Sequence, residues 1–395
     1  MYLDLMRPFG CYEFFSGGGM ARLGLGAAWR CLFANDFDSK KAAAYRQNFN
    51  GAPELWHGDV NAVLTAQLPG HATLAWASFP CQDLSLAGAG AGLAGKRSGV
   101  FWPFWQLMLS LKNEKRNPPI IAIENVSGLI TSHGGQDLTN LISALTDAGY
   151  RVGALQVDGA YFVAQSRPRL FIIAVARGVA IPKGLTGRVP NPSWHSDSLR
   201  DLVDDLPPET RKAWLWWKLP MPSRDAPHFA DVIEEEPQGV KWHTNAETKK
   251  LLSMMTTGNL NKVKEARRAG TRQVGTIYKR TRQGIQRAEV RFDGVSGCLR
   301  TPAGGSSRQI IMVIEGDRVR SRLISPRETA RLMGLPETYV LPKRYNDTYH
   351  LTGDGVVVPV VSWLEQHIIR PLAISAQRVI KRPSTQESEL CLTTR

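Results

Sequence analysis

The amino-acid sequence predicts an α/β protein: a doubly wound sheet, mixed but mostly parallel, with a smaller second domain. Three observations carry that expectation. Strand-like apolar runs alternate with helical patterns as far as residue 176. Several of those runs end on a residue suited to chemistry, namely Asp36, Cys81 and Glu124, and an open α/β sheet has its crevice outside the carboxyl ends of its strands. A glycine-rich turn, Ser16-Gly17-Gly18-Gly19, separates the first strand from the first helix, bringing backbone N–H groups and a helix start against any ligand there.

Taken in order, residues 11–15 read as a first strand, followed by the glycine turn and a helix with Met20, Leu23 and Ala27 on one face. Residues 31–35 form a second strand ending at Asp36, placed to accept from the two hydroxyls of a ribose. Gly58-Asp59-Val60 marks another strand end. The apolar run 72–78 is a buried strand leading into Phe79-Pro80-Cys81-Gln82, where Pro80 stiffens the turn that carries the thiol. The loop 85–99 that follows is rich in glycine. Residues 100–112 read as an aromatic helix, and Ile120-Ile121-Ala122-Ile123 as a buried strand ending at Glu124-Asn125-Val126. Leu138, Leu141 and Leu145 lie on one face of a helix stopped by Gly149. Strands fit 152–157 and 170–176. Beyond Arg177 the alternation is lost, prolines and tryptophans accumulate, and the tail after Ala376 has no apolar period. The expected organisation is a catalytic and cofactor domain at 1–178, a second domain at 179–345, a returning segment at 346–376 and a flexible tail at 377–395.

Composition sets the class. With 43% hydrophobic and 21% charged residues the chain is that of an ordinary soluble globular protein. No apolar run is long enough for a membrane helix, and the N-terminus lacks the pattern of a secretory signal. Five scattered cysteines without a CxxC suit a reducing cytoplasm and argue against a disulfide framework or a metal site. Charge is unevenly placed. Residues 241–345 hold 22 Lys+Arg against 8 Asp+Glu, while the regions on either side are each balanced, so the whole net charge of +14 sits in one stretch. A single-sign block of that kind favours a polyanionic partner, nucleic acid, over a merely basic surface.

On residue type alone Cys81 is either a small buried hydrophobe or a nucleophile, and Glu124 either caps a helix start or acts with that thiol. Their joint placement at strand ends favours one shared site. At this point the sequence resembles the DNA cytosine-5 methyltransferases of bacterial or phage restriction-modification systems. The resemblance rests on five blocks in the family's order: Phe15-Ser16-Gly17-Gly18-Gly19, Phe79-Pro80-Cys81-Gln82, Glu124-Asn125-Val126, Gln165-Ser166-Arg167-Pro168-Arg169, and residues 322–334. It implies a Rossmann-like fold that uses S-adenosylmethionine, no metal, and a target-recognition domain within 179–345. It implies further that the enzyme flips a cytosine out of duplex DNA and methylates its carbon 5 after Cys81 adds to carbon 6. Glu124 then assists at N3, Arg169 holds the carbonyl oxygen and Arg167 supports the same region.

For the cofactor the resemblance implies Phe15, Ser16, Gly17 and Gly19 at the turn, Asp36 on the ribose, and Phe37, Asp59, Val60, Pro80 and Val100 around the adenine. Thr352-Gly353-Asp354-Gly355-Val356 completes the pocket. Asp354 stands where the family has asparagine, and this extra carboxylate either weakens cofactor binding or pairs with the cofactor's ammonium. Glu13 stands where aspartate is commoner. Expected DNA contacts are Gln82, Ser85, Arg97, Arg267, Arg268, Arg272, Arg280, Arg282, Ser307 and Arg308, the stretch 267–282 being alternatively a solvated basic helix. Double-stranded DNA is the expected partner of a cytoplasmic monomer, and a separate cognate restriction endonuclease is left open.

Rival readings exist. Asn117-Pro118-Pro119-Ile120 resembles the turn of amino-methyltransferases but lacks their following aromatic. A transfer-RNA-type cytosine-5 methyltransferase shares the nucleophile and acid blocks, although its second region is shorter. An idle DNA-binding regulator would not need Cys81 and Glu124. A nicotinamide oxidoreductase would need a different glycine spacing and a hydride-transfer partner for Cys81.

Overall fold

The structure, a computed structural model, describes residues 8–80, 99, 101–223, 225–282, 284–301 and 308–380. Cys81, Gln82, Ser85, Arg97, Val100 and Ser307 lie outside the described residues, as do residues 381–395, and the side chain of Arg282 is not described.

Seven strands form the main sheet: β1 (Phe9–Phe14), β2 (Trp29–Asp36), β3 (Leu55–His57), β4 (Leu74–Ala77), β5 (Ile120–Val126), β6 (Tyr150–Asp158) and β7 (Pro168–Ala176), in the order β3-β2-β1-β4-β5-β7-β6. The first five are parallel because helices carry the chain back between them: α1 (Met20–Leu25), α2 (Ser39–Asn48) and α3 (Phe101–Asn113). After β5, α4 (Gln136–Asp147) crosses to β6 at the far edge. The short connection 159–167 then turns β7 back into the gap, antiparallel to both neighbours. Helices cover both faces, so buried residues alternate sides along a strand. Trp76 and Ala122 pack on one face, and Ala75, Ala77, Ile121 and Ile123 on the other.

The first helix is shorter than its apolar pattern suggests. It ends at Leu25 because Gly26 adopts φ 72°, which leaves Ala27 outside it. The connection leading out of β1 and that leading out of β4 are neighbours, with Ser78 N donating to Phe14 O at 3.4 Å. The strand order reverses between these two strands, which is where open α/β sheets bind ligands.

Past β7 the chain stays on the large sheet for some forty residues. The ribbon of β8 (Thr186–Gly187) and β9 (Trp216–Trp217) lies near its edge, and Leu215 N donates to Val152 O at 2.7 Å. Helix α5 (Asp197–Asp204) buries Leu199, Leu202 and Val203 in the same core as Leu138 and Leu141 of α4. Two short helices follow along this stretch, α6 (Pro208–Lys212) and α7 (Phe229–Val232). A second sheet comes next, four antiparallel strands in the order β11-β10-β12-β13: β10 (Gln273–Arg282), β11 (Ile285–Arg291), β12 (Ile310–Glu315) and β13 (Arg318–Leu323). Helices α8 (Asn245–Ser253) and α9 (Thr257–Arg268) cover one face, burying Leu251, Val263 and Ala266 against Ile277, Val290 and Met312. The stretch 267–282 is therefore not one helix. Gly270, at φ 68°, breaks it into the end of α9 and the strand β10.

The junction of the two sheets is a buried ion pair. Arg322, from β13, meets Glu328 of α10 (Pro326–Arg331) through two bonds of 2.6 and 2.8 Å, both side chains 0% exposed. Enclosing both charges in bidentate geometry fixes the angle between the elements, and removing either partner would strand the other. Helices α11 (Tyr345–Asp354), α12 (Val358–Leu364) and α13 (Arg370–Ile380) then return to the large sheet. Trp29 donates to Glu365 at 2.8 Å, and Gly24 lies so close to Val361 that a Cβ there would clash. Helix α13 runs on through residues 377–380, which the apolar pattern assigns to the tail.

Candidate active site

The strand that carries Glu124 near its end, β5, supplies the first half of the site. Register sets Glu124 opposite Phe171 and Val126 opposite Arg169, so Glu124 and Arg169 share a face of the sheet one diagonal step apart. Their side chains meet at 3.2 Å, Arg169 Nε to Glu124 Oε1, and both are largely enclosed. The residue between, Asn125, points the other way. Its amide donates to Phe79 O at 3.0 Å and its Oδ1 accepts from Val126 N at 2.8 Å. Asn125 thereby pins the Phe79-Pro80 turn to the end of β5. Cys81, the expected nucleophile, comes next in the chain and lies outside the described residues.

Arg167 is placed differently from Arg169. It is buried, and its guanidinium donates to Leu299 O at 3.1 Å and to the carbonyls of Gly353 and Gly355, both at 2.7 Å. Burial, with Arg169 alongside, pulls it down to about 10, still charged at neutral pH. Arg167 ties β7 to the segment after β11 and to the end of α11. Gln165 acts likewise, donating to Leu332 O at 2.8 Å and accepting from Leu299 N at 2.9 Å. Two of the three long side chains in this block thus hold elements together, and Arg169 alone reaches the acid.

The glycine turn forms the second half. Phe15 has φ 56°, an uncommon backbone for a bulky residue, and its ring stands edge-on to Phe79 at 6.0 Å. Asp36 is buried and braces the turn, accepting from Gly17 N at 2.7 Å and Asp38 N at 2.8 Å. Burial raises its pKa above the ordinary carboxylate value despite these bonds. Asn35 donates to Gly58 O at 2.9 Å, which fixes the start of the Asp59–Val60 segment. Asp59 is exposed and caps the turn at Val60–Ala62 through Asn61 N at 2.9 Å, with Val60 buried beneath. Gly19 packs on Phe49 with no room for a Cβ.

Three observations fit this turn to the expected nucleoside cofactor. Ser16 Oγ is buried without a hydrogen-bond partner, the Cα of Gly17 faces open space, and Phe37 presents an aromatic ring that is 75% exposed. Gly355 lies against Met20, again leaving no space for a Cβ. The carboxylate of Asp354 is met by Lys41 Nζ at 2.7 Å and by the Thr301 hydroxyl. The extra charge expected at Asp354 therefore has a cation from α2 beside it.

Among the described residues, the expected DNA contacts do not form one patch. Arg267 pairs with Asp317, and Arg272 with Glu235 at 2.7 Å and Glu315 at 3.5 Å, while Arg268 is exposed beside them. Arg280 lies at the other end of β10, with Glu289 at 3.4 Å. Arg308 donates to Asn346 at 2.6 Å and stacks over Tyr345, holding α11. Sequence reasoning missed Lys41, the pinning role of Asn125 and the position of Cys298, whose sulfur lies 3.3 Å from Arg167 Nη1 and 3.9 Å from Arg169 Nη2. None carries a local signal, since each acts on a partner distant in the chain.

Comparison with known proteins follows the geometry. The family described as C-5 cytosine-specific DNA methylase matches residues 9–370. The chain is 25% identical over 376 residues to the type II methyltransferase M.NlaX of Neisseria lactamica, covering 94% of this chain and 100% of that one. It is 23% identical over 358 residues to the type II methyltransferase M.HhaI of Haemophilus parahaemolyticus, covering 90% and 93%. Among solved structures, a putative DNA modification methyltransferase encoded within an E. coli prophage superposes with a TM-score of 0.56 at 15% identity, covering 92% of this chain and 99% of that one.

Proposed function

The chain belongs to the C-5 cytosine-specific DNA methylase family, a DNA cytosine-5 methyltransferase, and from that premise we propose how its residues divide the reaction. Carbon 5 of cytosine is a poor nucleophile, so the Cys81 thiolate first forms a bond to carbon 6 of a flipped base. Electron density moves toward N3, where Glu124 supplies a hydrogen bond or proton. Arg169 holds the carbonyl oxygen beside it, while Arg167 acts by holding the surrounding backbone. After methylation at carbon 5, loss of the carbon 5 proton returns the electron pair and breaks the bond from sulfur to carbon 6.

S-adenosylmethionine, when bound, supplies the electrophilic methyl group. Phe15, Ser16, Gly17, Asp36, Phe37, Asp59 and Val60 hold it, with Asp354 and Gly355 closing the far side. The same reading has the protein act as a cytoplasmic monomer on duplex DNA, with a cognate restriction endonuclease as a separate chain. Among the described residues no helix is long and apolar enough to cross a membrane.

The observation that supports these roles is the Glu124–Arg169 pair at the end of the strand whose next residue, Asn125, pins the Phe79-Pro80 turn. The test is a duplex with fluorine at carbon 5 of the target cytosine, which blocks proton removal. With S-adenosylmethionine present, enzyme and DNA should remain joined through Cys81 on a denaturing gel, and mass spectrometry should place the adduct on that peptide. Cys81→Ser should abolish it. An adduct at Cys11, Cys31, Cys298 or Cys391, or transfer that survives Cys81→Ser, overturns the assignment.

A further inference from the structure

The β10–β11 hairpin extends past the sheet it belongs to. β12 pairs with β10 only over Gln273–Ile277, whereas β11 pairs with it as far as Arg282. From Tyr278 onward β10 therefore has no β12 beside it, and β11 is bridged on its outer edge by Met255 at Ala288, so the rungs beyond, 280–282 with 285–287, form a two-stranded ribbon. Along it the buried residues run out: Ile277, Ala288 and Val290 are core, while Arg280, Thr281, Ile285 and Gln286 are exposed.

Alternation assigns the ribbon's faces. Tyr278 opposite Glu289 and Arg280 opposite Arg287 share one face. That face starts at the catalytic wall, because Tyr278 OH donates to Gln309 at 2.7 Å and lies 3.4 Å from the carbonyl of Cys298, whose sulfur touches both Arg167 and Arg169. The next rung sets two arginines directly opposite each other. Like charges in that position destabilise a hairpin, so Arg280 and Arg287 are not there for the hairpin's own sake. Arg280 shares Glu289, and Arg287 has no ion-pair partner among the described residues. At the tip Ile285 is 55% exposed, an apolar side chain among cations. A breach of local pairing rules together with an exposed apolar tip marks a surface built for a partner. The major groove of B-DNA admits a two-stranded ribbon of this kind, and arginine recognises guanine there through O6 and N7.

Resting on the DNA-methylase reading, we propose that the ribbon strands, residues 278–282 and 284–289, enter the major groove beside the flipped cytosine, with Arg287 reading a guanine. The test uses full-length protein and a duplex selected by binding from a random-sequence pool. Arg287→Ala and Arg287→Lys are compared with wild type by guanine N7 protection against dimethyl sulfate, and by sequencing methylated cytosines after deamination. One guanine should lose its protection in both variants, because lysine cannot reproduce the paired contact. Preference at that position should fall by roughly 5- to 150-fold, with others unchanged. Thermal midpoints equal to wild type show that the fold is intact. Unchanged protection and preference, or restoration by lysine, overturns the proposal. A wild type that protects guanine but methylates no DNA would instead break the functional reading, since protection needs no transfer.

Discussion

Charged side chains at the mouth of the seven-stranded sheet are held by the protein itself, whereas the arginines toward the tip of the β10–β11 ribbon have few counter-ions among the described residues. Glu124 meets Arg169, Arg167 meets three backbone carbonyls, Asp36 meets two backbone N–H groups, and Asp354 meets Lys41. On the ribbon, Arg280 shares one glutamate and Arg287 stands without an ion-pair partner among the described residues. Enclosed and paired charges build a rigid geometry around reacting atoms. Like-signed charges that the protein leaves short of counter-ions wait for a ligand that supplies the opposite sign. The first arrangement suits catalysis, which needs groups fixed before the substrate arrives, and the second suits recognition of a polyanion.

The largest expected effect tests the enclosed side of that contrast. Glu124→Gln keeps the shape of the side chain but removes its capacity to give a proton. Methyl transfer in a single-turnover assay should fall by about 10²–10⁴-fold. Duplex affinity should stay within a few fold, because the cations proposed to meet DNA lie on the other sheet. If affinity collapsed together with rate, Glu124 would belong to the recognition surface and the division between the two regions would fail.

How much of this was legible in the sequence follows the same division. The sheet mouth is local in the chain: Phe79-Pro80 comes just after β4 and Glu124 follows the apolar run of β5 two residues before its end, so apolar runs and the residues that close them reveal both. Strand ends were readable to within a few residues for the same reason. What joins these pieces is not local. Asn125 acts on Phe79, Lys41 on Asp354 and Arg167 on Gly353, and nothing in the spacing of such residues shows which partner they reach. The four-stranded sheet was illegible because its strands divide between two cores, Ile310, Met312 and Ile314 under α8 and α9 and Val274, Ile311 and Val313 in the main core, while Arg280, Arg282 and Arg287 interrupt the apolar pattern of β10 and β11. Its charge was visible from composition, but charge alone could not separate Arg272, which binds Glu235 and Glu315, from Arg287.

A second test probes an enclosed carboxylate that lacks a close cation. Glu13 is buried under the glycine turn, accepting from Arg22 N at 3.1 Å and Tyr45 OH at 2.9 Å. The other groups around it are the Cys11 and Cys31 thiols, Asp36, Tyr339, and the Arg22 guanidinium, which is itself turned to Glu54. Burial pushes Glu13 up to about 7, against the lowering effect of the Tyr45 and Arg22 bonds. A carboxyl raised in the folded state gives stability that is fully present below its unfolded value of 4.5 and is lost as pH rises through about 7. Glu13→Gln should remove a pH-dependent loss on the order of 3 kcal/mol between pH 5 and 8. Urea midpoints of both proteins across that range decide it. A wild type equally stable at both ends would show that Glu13 is charged throughout.

The smallest effect separates the two ends of the four-stranded sheet. At about 3.3 Å per residue, Arg272 and the ribbon tip stand roughly 30 Å apart along β10. At the Arg272 end, acidic side chains already neutralise Arg267 and Arg272. On the ribbon, Lys279 lies opposite Ala288 and has no ion-pair partner among the described residues. Each phosphate neutralised contributes about −0.9 to the slope of log affinity against log salt, so six contacts would give a slope near −5. Lys279→Ala should therefore make the slope shallower by about 0.9, close to a threefold change in relative affinity between 50 and 200 mM salt. Arg272→Ala should move it by less than half as much, since the cation it removes is already shared by Glu235 and Glu315. Equal slopes for the two variants would mean that those ion pairs open when DNA binds, so that cations paired in the free protein contact phosphate as readily as unpaired ones. That result would confine the contrast between held and free charge to the protein without its substrate.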